Sequence, residues 1–146
     1  MQTRLVSALF VLFSLQIANA QIWEPIRMTE NAQRLLAIAF PDSLNGWMVG
    51  NKPGDDRAYI IRTSDGGKTW VEQQSDVSDQ LQDVYFKDGL NGWALGLNSI
   101  QKTVDGGNSW DSIALGQLSG IPLLLEFDFI GETVYAIGDA GILLKS

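Results

Sequence analysis

The sequence predicts an all-β chain made of β-propeller blades, each with four antiparallel strands. About three blades are present, forming a partial propeller. Asn45-Gly46-Trp47-Met48-Val49-Gly50 returns as Asn91-Gly92-Trp93-Ala94-Leu95-Gly96, and more weakly as Thr133-Val134-Tyr135-Ala136-Ile137-Gly138. Thr63-Ser64-Asp65-Gly66-Gly67-Lys68-Thr69-Trp70 returns as Thr103-Val104-Asp105-Gly106-Gly107-Asn108-Ser109-Trp110. Between these motifs lie short β-branched or aromatic runs bounded by Pro, Asp, Asn and Gly. That is strand punctuation, and no helical period is sustained long enough to compete. A four-stranded unit of about 40 residues is the size of one propeller blade.

The elements follow in chain order. Met1-Gln2-Thr3-Arg4 carries one positive charge, Leu5 to Ile17 is weakly polar to apolar, and Ala18-Asn19-Ala20 is a small-x-small cleavage pattern. Residues 1–20 thus read as a secretory signal peptide, which makes the product secreted or periplasmic. The apolar run is short for a membrane anchor, which needs about 20 apolar residues. No later stretch is apolar enough to span a bilayer. Residues 21–146 are the propeller segment. Trp23-Glu24-Pro25-Ile26 resembles the last strand of a unit, as in Trp70-Val71-Glu72-Gln73.

The first complete unit predicts strands over 35–40, 46–50, 58–63 and 69–73. The second predicts 81–86, 92–96, 99–103 and 109–113. The third gives 123–129, 133–138 and 141–145. Ser146 aligns with Thr63 and Thr103, the opening residue of the twice-used motif. Two expectations follow. Either the chain is a fragment of a longer propeller, or it self-associates through open blade edges. Two chains would supply about six blades, within the 4–8 of known propellers.

Composition narrows the chemistry. The net charge is −7 at pH 7, which argues against nucleic acid and anionic membranes as partners. There is no histidine, so the usual general base and the usual zinc ligand are missing. There is no cysteine, so export brings no disulfides and no thiol-linked lipid anchor.

The second motif is, physically, a turn. Asp65 and Asp105 are placed to accept N–H bonds from the residues that follow. Gly66-Gly67 and Gly106-Gly107 permit positive φ without steric cost. Thr63 and Thr103 supply hydroxyls, Thr69 and Ser109 close the motif, and Trp70 and Trp110 start the next strand and cover the loop. The pattern resembles the Asp box, or bacterial neuraminidase repeat. Its structural residues are then Thr63, Asp65, Gly67, Thr69, Trp70, Thr103, Asp105, Gly107, Ser109 and Trp110. A calcium loop is the alternative reading. It needs several oxygen side chains, and each box has one carboxylate, so no metal and no cofactor are assigned.

Trp47, Trp93 and Tyr135 share one repeat position, suited either to packing between blades or to a carbohydrate platform. Arg62, Lys102 and Lys145 share another, read here as solvent-facing. The insertion Asn51-Lys52-Pro53-Gly54-Asp55-Asp56 departs from the repeat. With Arg57 it forms a possible binding loop, carried by Asp55, Asp56 and Arg57.

The full pattern is an initial strand ending in Phe, then Asn-Gly-Trp-x-x-Gly, then the Asp box. It resembles the propeller domain of the photosystem II stability and assembly factor family over roughly residues 21–146. That resemblance implies a β-propeller with a non-enzymatic role in protein assembly or surface binding, in a family widespread among exported bacterial proteins. Members acting on photosystems carry an arginine-rich patch, whereas this segment has few arginines (Arg27, Arg34, Arg57, Arg62). The expected partner is a protein or a surface glycan. The alternative is a fragment of a sialidase-like glycoside hydrolase. Such a site needs an arginine cluster and a Tyr–Glu pair. No spacing here supports one, and no catalytic residue is assigned.

Overall fold

The computed structural model describes residues 34–52, 54, 57–75, 77, 79–97, 99–113 and 123–145. The expected signal peptide at 1–20, the strand-like Trp23–Ile26, Asp55, Asp56 and Ser146 lie outside the described residues.

Among the described residues, eleven strands form three antiparallel sheets. The first sheet holds β1 (Arg34–Ala39), β2 (Gly46–Asn51), β3 (Ala58–Thr63) and β4 (Val71–Gln73), in that spatial order. The second holds β5 (Leu81–Phe86), β6 (Gly92–Gly96), β7 (Ile100–Thr103) and β8 (Asp111–Ile113). The third holds β9 (Leu124–Ile130), β10 (Thr133–Gly138) and β11 (Leu143–Lys145). Each sheet is an up-and-down meander, and the first strands of consecutive sheets adjoin one another. These are three blades of a β-propeller.

The backbone explains the Gly-Trp-x-x-Gly spacing. Each first strand carries a bulge at one repeat position: between Leu35 and Ala37, between Leu81 and Asp83, and opposite the step from Ile137 to Gly138. The glycine that closes the motif lies beside that bulge. A Cβ on Gly50 would sit 1.8 Å from the Arg34 carbonyl oxygen, and one on Gly138 would sit 2.2 Å from that of Leu123. The first glycine makes room instead for the phenylalanine ending the first strand. A Cβ on Gly46 or Gly92 would meet the ring of Phe40 or Phe86 at 2.5 Å.

Two clusters of buried side chains form the core, one at each blade junction. Trp47, Val49 and Ile60 of the first blade pack with Leu81, Val84, Phe86 and Ala94 of the second. Leu95 and Ile100 of the second pack with Leu124, Phe127 and Ala136 of the third. The blades therefore pack face to face, and each face is set by alternation along its strands.

Three strand starts lie two residues later than the sequence expectation, and the other described boundaries agree with it within one residue. β4 and β8 begin after Trp70 and Trp110, so both tryptophans belong to the preceding turn rather than to a strand. The cause is their indoles folding back over the Asp-box loop. In the third blade, a 3₁₀ turn over Asp139–Gly141 occupies the expected start of the last strand. Ala140 has φ of 55° and Gly141 has φ of 75°, a tight corner closed by the Ile142 N–H donating to the Asp139 carbonyl.

Candidate functional site

The two Asp-box corners are the same bend. In the first, the Thr63 hydroxyl donates to Asp65 Oδ1 at 2.8 Å and accepts from the Gly67 N–H at 2.9 Å. Asp65 also accepts from the Thr69 N–H at 2.9 Å and from the Thr69 hydroxyl at 2.6 Å. The second repeats this with Thr103, Asp105, Gly107 and Ser109, at 2.8, 2.9, 2.9 and 2.7 Å. All four corner glycines have φ between 72° and 87°. Trp70 closes the first corner by donating Nε1–H to the Gly67 carbonyl at 3.1 Å. Both oxygens of each carboxylate therefore accept bonds from the turn itself. These bonds, led by the Thr69 or Ser109 hydroxyl, pull the pKa of Asp65 and Asp105 from 3.8 to about 2.

A second repeated turn supports each corner, and the sequence reading missed it. Asp42 accepts from the N–H groups of Leu44 and Asn45, each at 2.8 Å. Asp88 does the same for Leu90 and Asn91. The carbonyls of Leu44 and Leu90 then accept from the N–H of Gly66 and Gly106. The Asp that precedes Asn-Gly at equal spacing in both units was the available signal.

The second corner also ties two blades together. The Gly106 carbonyl accepts Trp47 Nε1–H and Gln73 Nε2–H from the first blade, each at 3.0 Å. Trp47 is fully buried and lies flat on Phe86, with ring centroids 3.6 Å apart. Of the open readings for this aromatic position, packing between blades is the one Trp47 adopts.

Arg62, Lys102 and Lys145 were expected to face solvent. Lys102 and Lys145 are exposed as expected and Arg62 is half-buried, and each also sits over the aromatic residue paired with it across the sheet. Arg62 lies 5.1 Å from the Trp47 ring, Lys102 5.6 Å from Trp93, and Lys145 5.7 Å from Tyr135. Strand register pairs Trp47 with Arg62, Trp93 with Lys102 and Tyr135 with Lys145. A solvent-facing reading therefore holds only for the outward side of these cations. Their stems and one face cover the rings.

A groove of about 510 Å³ opens where the first blade meets the second corner, lined by Arg62, Ser64, Val71, Glu72, Gln73, Gln74 and Asn108. Arg62 reaches Asn45 Oδ1 through Nη2 at 3.4 Å, while its Nε is buried without a hydrogen-bond partner among the described residues. Gln73 Oε1 is in the same condition. Both atoms are enclosed, and the polar groups the cleft itself presents include exposed Glu72, Gln74 and Asn108. Arg57 of the expected binding loop is exposed just before β3, at the opposite end of that strand from Ser64. Lys52, from the start of the same insertion, does reach the groove, because its ammonium pairs with Glu72 of the lining.

The comparisons with known proteins agree with this architecture. The family described as Photosynthesis system II assembly factor YCF48 matches residues 15–126. The chain belongs to this family. A similar curated protein is the photosystem II assembly lipoprotein Ycf48 of Picosynechococcus sp., 40% identical over 59 residues. That match covers 40% of this chain and 16% of the relative. A solved structure of YCF48 bound to D1 peptide superposes with a TM-score of 0.67 at 26% identity, covering 82% of this chain and 39% of the other. YCF48 from Cyanidioschyzon merolae shares the fold, with a TM-score of 0.62 at 22% identity over 81% of this chain and 35% of that one. The chain thus spans well under half the length of the relatives it matches. The assembly-factor reading of the sequence is borne out at the level of family and fold, and the sialidase alternative is not favoured.

Proposed function

We propose that this chain is an exported, non-enzymatic propeller module that binds a peptide segment of a partner protein during assembly. The binding surface is the groove at the first blade junction. Arg62 supplies a cation in its wall, and exposed Glu72, Gln74 and Asn108 supply hydrogen-bonding groups around it. An extended peptide presents complementary groups: a carboxylate for the guanidinium, and backbone N–H and C=O groups for the exposed amides and carboxylate. The relative solved with a bound D1 peptide supports a peptide as the ligand class. The observation that carries the reading is the open groove with Arg62 in its wall and exposed Glu72, Gln74 and Asn108 around it.

The test is a titration of the chain with synthetic D1 peptide, followed by tryptophan fluorescence, because Trp47 lies beneath Arg62. A saturable change is expected. Arg62→Lys keeps a cation over Trp47, as Lys102 does over Trp93, but removes the planar fork. It is expected to weaken binding by about tenfold, the size of one charge-assisted hydrogen bond, and to leave thermal stability nearly unchanged. Absence of a saturable change, or hydrolysis of a fluorogenic sialoside by the same preparation, overturns the reading.

A further inference from the structure

We propose that Asn45 and Asn91 are latent self-modification sites, kept as asparagine by the Asp42 and Asp88 carboxylates and converted to aspartate or isoaspartate where that hold opens. Leu44-Asn45-Gly46-Trp47 recurs as Leu90-Asn91-Gly92-Trp93, so two Asn-Gly dipeptides sit in identical local sequence. Asparagine is among the thermolabile residues. A following glycine makes it more so, because no Cβ screens the backbone nitrogen that attacks. That nitrogen adds to the Asn Cγ and a new N–C bond forms. The Cγ–Nδ2 bond breaks, and Nδ2 leaves as ammonia with the proton of the glycine amide. Water then opens the five-membered imide at either carbonyl, and no other reactant is consumed. Replacing the glycine is not open to the fold, since a Cβ on Gly46 or Gly92 would meet the ring of Phe40 or Phe86 at 2.5 Å.

The fold holds the side-chain amide instead. Asn45 Nδ2 donates to Asp42 Oδ2 at 2.9 Å. Asn91 Nδ2 reaches both Asp88 oxygens, at 2.9 and 3.1 Å. These bonds fix the side-chain torsions. A carboxylate acceptor also keeps the amide nitrogen from taking up the proton it needs to leave. Asp42 and Asp88 stay ionised at neutral pH, their pKa values lowered first by the backbone N–H of Asn45 and of Asn91. The two holds are unequal, one carboxylate oxygen for Asn45 against two for Asn91. Asn45 Oδ1 also accepts from Arg62 Nη2 at 3.4 Å, which draws electron density away from Cγ. Asn45 is therefore the earlier site. An isoaspartyl link there adds one backbone carbon directly before β2, the strand that carries Trp47 into the core. None of this depends on what the groove binds.

Peptide mapping by mass spectrometry tests it, with the full chain incubated in mildly alkaline buffer, folded in one sample and in urea in another. In urea the two sites are expected to convert at one rate, because their neighbours are the same. In the folded chain both are expected to be slower by at least about tenfold, the size of one charge-assisted hydrogen bond, and Asn45 is expected to lead Asn91. Asp42→Asn keeps an oxygen for the N–H groups of Leu44 and Asn45 but sets an NH₂ where Oδ2 accepted from Asn45. It is expected to speed conversion at Asn45 by about tenfold and to leave Asn91 unchanged, which checks that the fold is intact. The proposal is overturned by equal rates in the folded and urea samples, by Asn91 leading Asn45, or by an Asp42→Asn variant that leaves Asn45 at its former rate or speeds both sites alike.

Discussion

Asp65 and Asp105 hold their corners only as carboxylates, because protonation removes acceptor capacity that Thr63, Thr69, Thr103 and Ser109 all use. Their pKa values fall from 3.8 in an ordinary setting to about 2 in the fold. A depressed carboxylate contributes stability that is fully present above the unfolded value and lost as pH falls through the folded one. Asp42 and Asp88 are lowered as well, chiefly by the Asn45 and Asn91 backbone N–H groups. Asp83 runs the other way, since burial raises it and its ionised form is disfavoured. Four lowered groups oppose it at the turns, so the thermal midpoint is expected to drop between about pH 4 and pH 2. Asp65→Asn with Asp105→Asn, nearly isosteric, is expected to flatten that decline in a circular-dichroism pH series. Gly106 gives a sharper test of the corner geometry. Its φ is +72° and a Cβ would lie 2.9 Å from the Gly89 carbonyl oxygen. Gly106→Ala is expected to cost about 1–2 kcal/mol from the left-handed backbone alone, read from urea unfolding. These corner residues were legible in the sequence because the turn is local and each copy states it in full. The partners of Arg62 and Gln73 were not, since Gly106 and Trp47 reach them only across strands and blades.

Trp47 shows how one strand fastens two blades. It belongs to β2, stacks on Phe86 of β5 and donates to the Gly106 carbonyl at the second corner. Truncating a fully buried tryptophan leaves a cavity with no nearby side chain free to fill it. Trp47→Ala is therefore expected to cost about 3–5 kcal/mol, measured as a lower urea midpoint with an unchanged m-value. Trp93→Ala is expected to cost less, because Trp93 is only half-buried. Equal losses would show that the two junctions are not graded in this way. Alternation and turn residues made every described strand recognisable, with the middle strands β2, β3 and β6 placed within a residue. The outer strands were set too early for a physical reason. Trp70 and Trp110 look like strand residues by type, but the turn uses their indoles while the ladder starts one residue later. The corner at Ala140 was invisible because alanine carries no signal for a positive φ.

Stability in a stack of blades is the sum of each blade's own terms and its contacts with neighbours. Among the described residues, the second blade has packed neighbours on both faces, and the first and third each have a packed neighbour on one. The outer strands β4, β8 and β11 are three residues each and largely exposed, whereas β2, β3, β5 and β6 carry most of the buried side chains. Opening free energies should therefore fall outward along each blade and away from the middle one. Native-state hydrogen exchange is expected to show slowest exchange at β5 and β6, intermediate rates at β2 and β3, and fastest rates at β8 and β11.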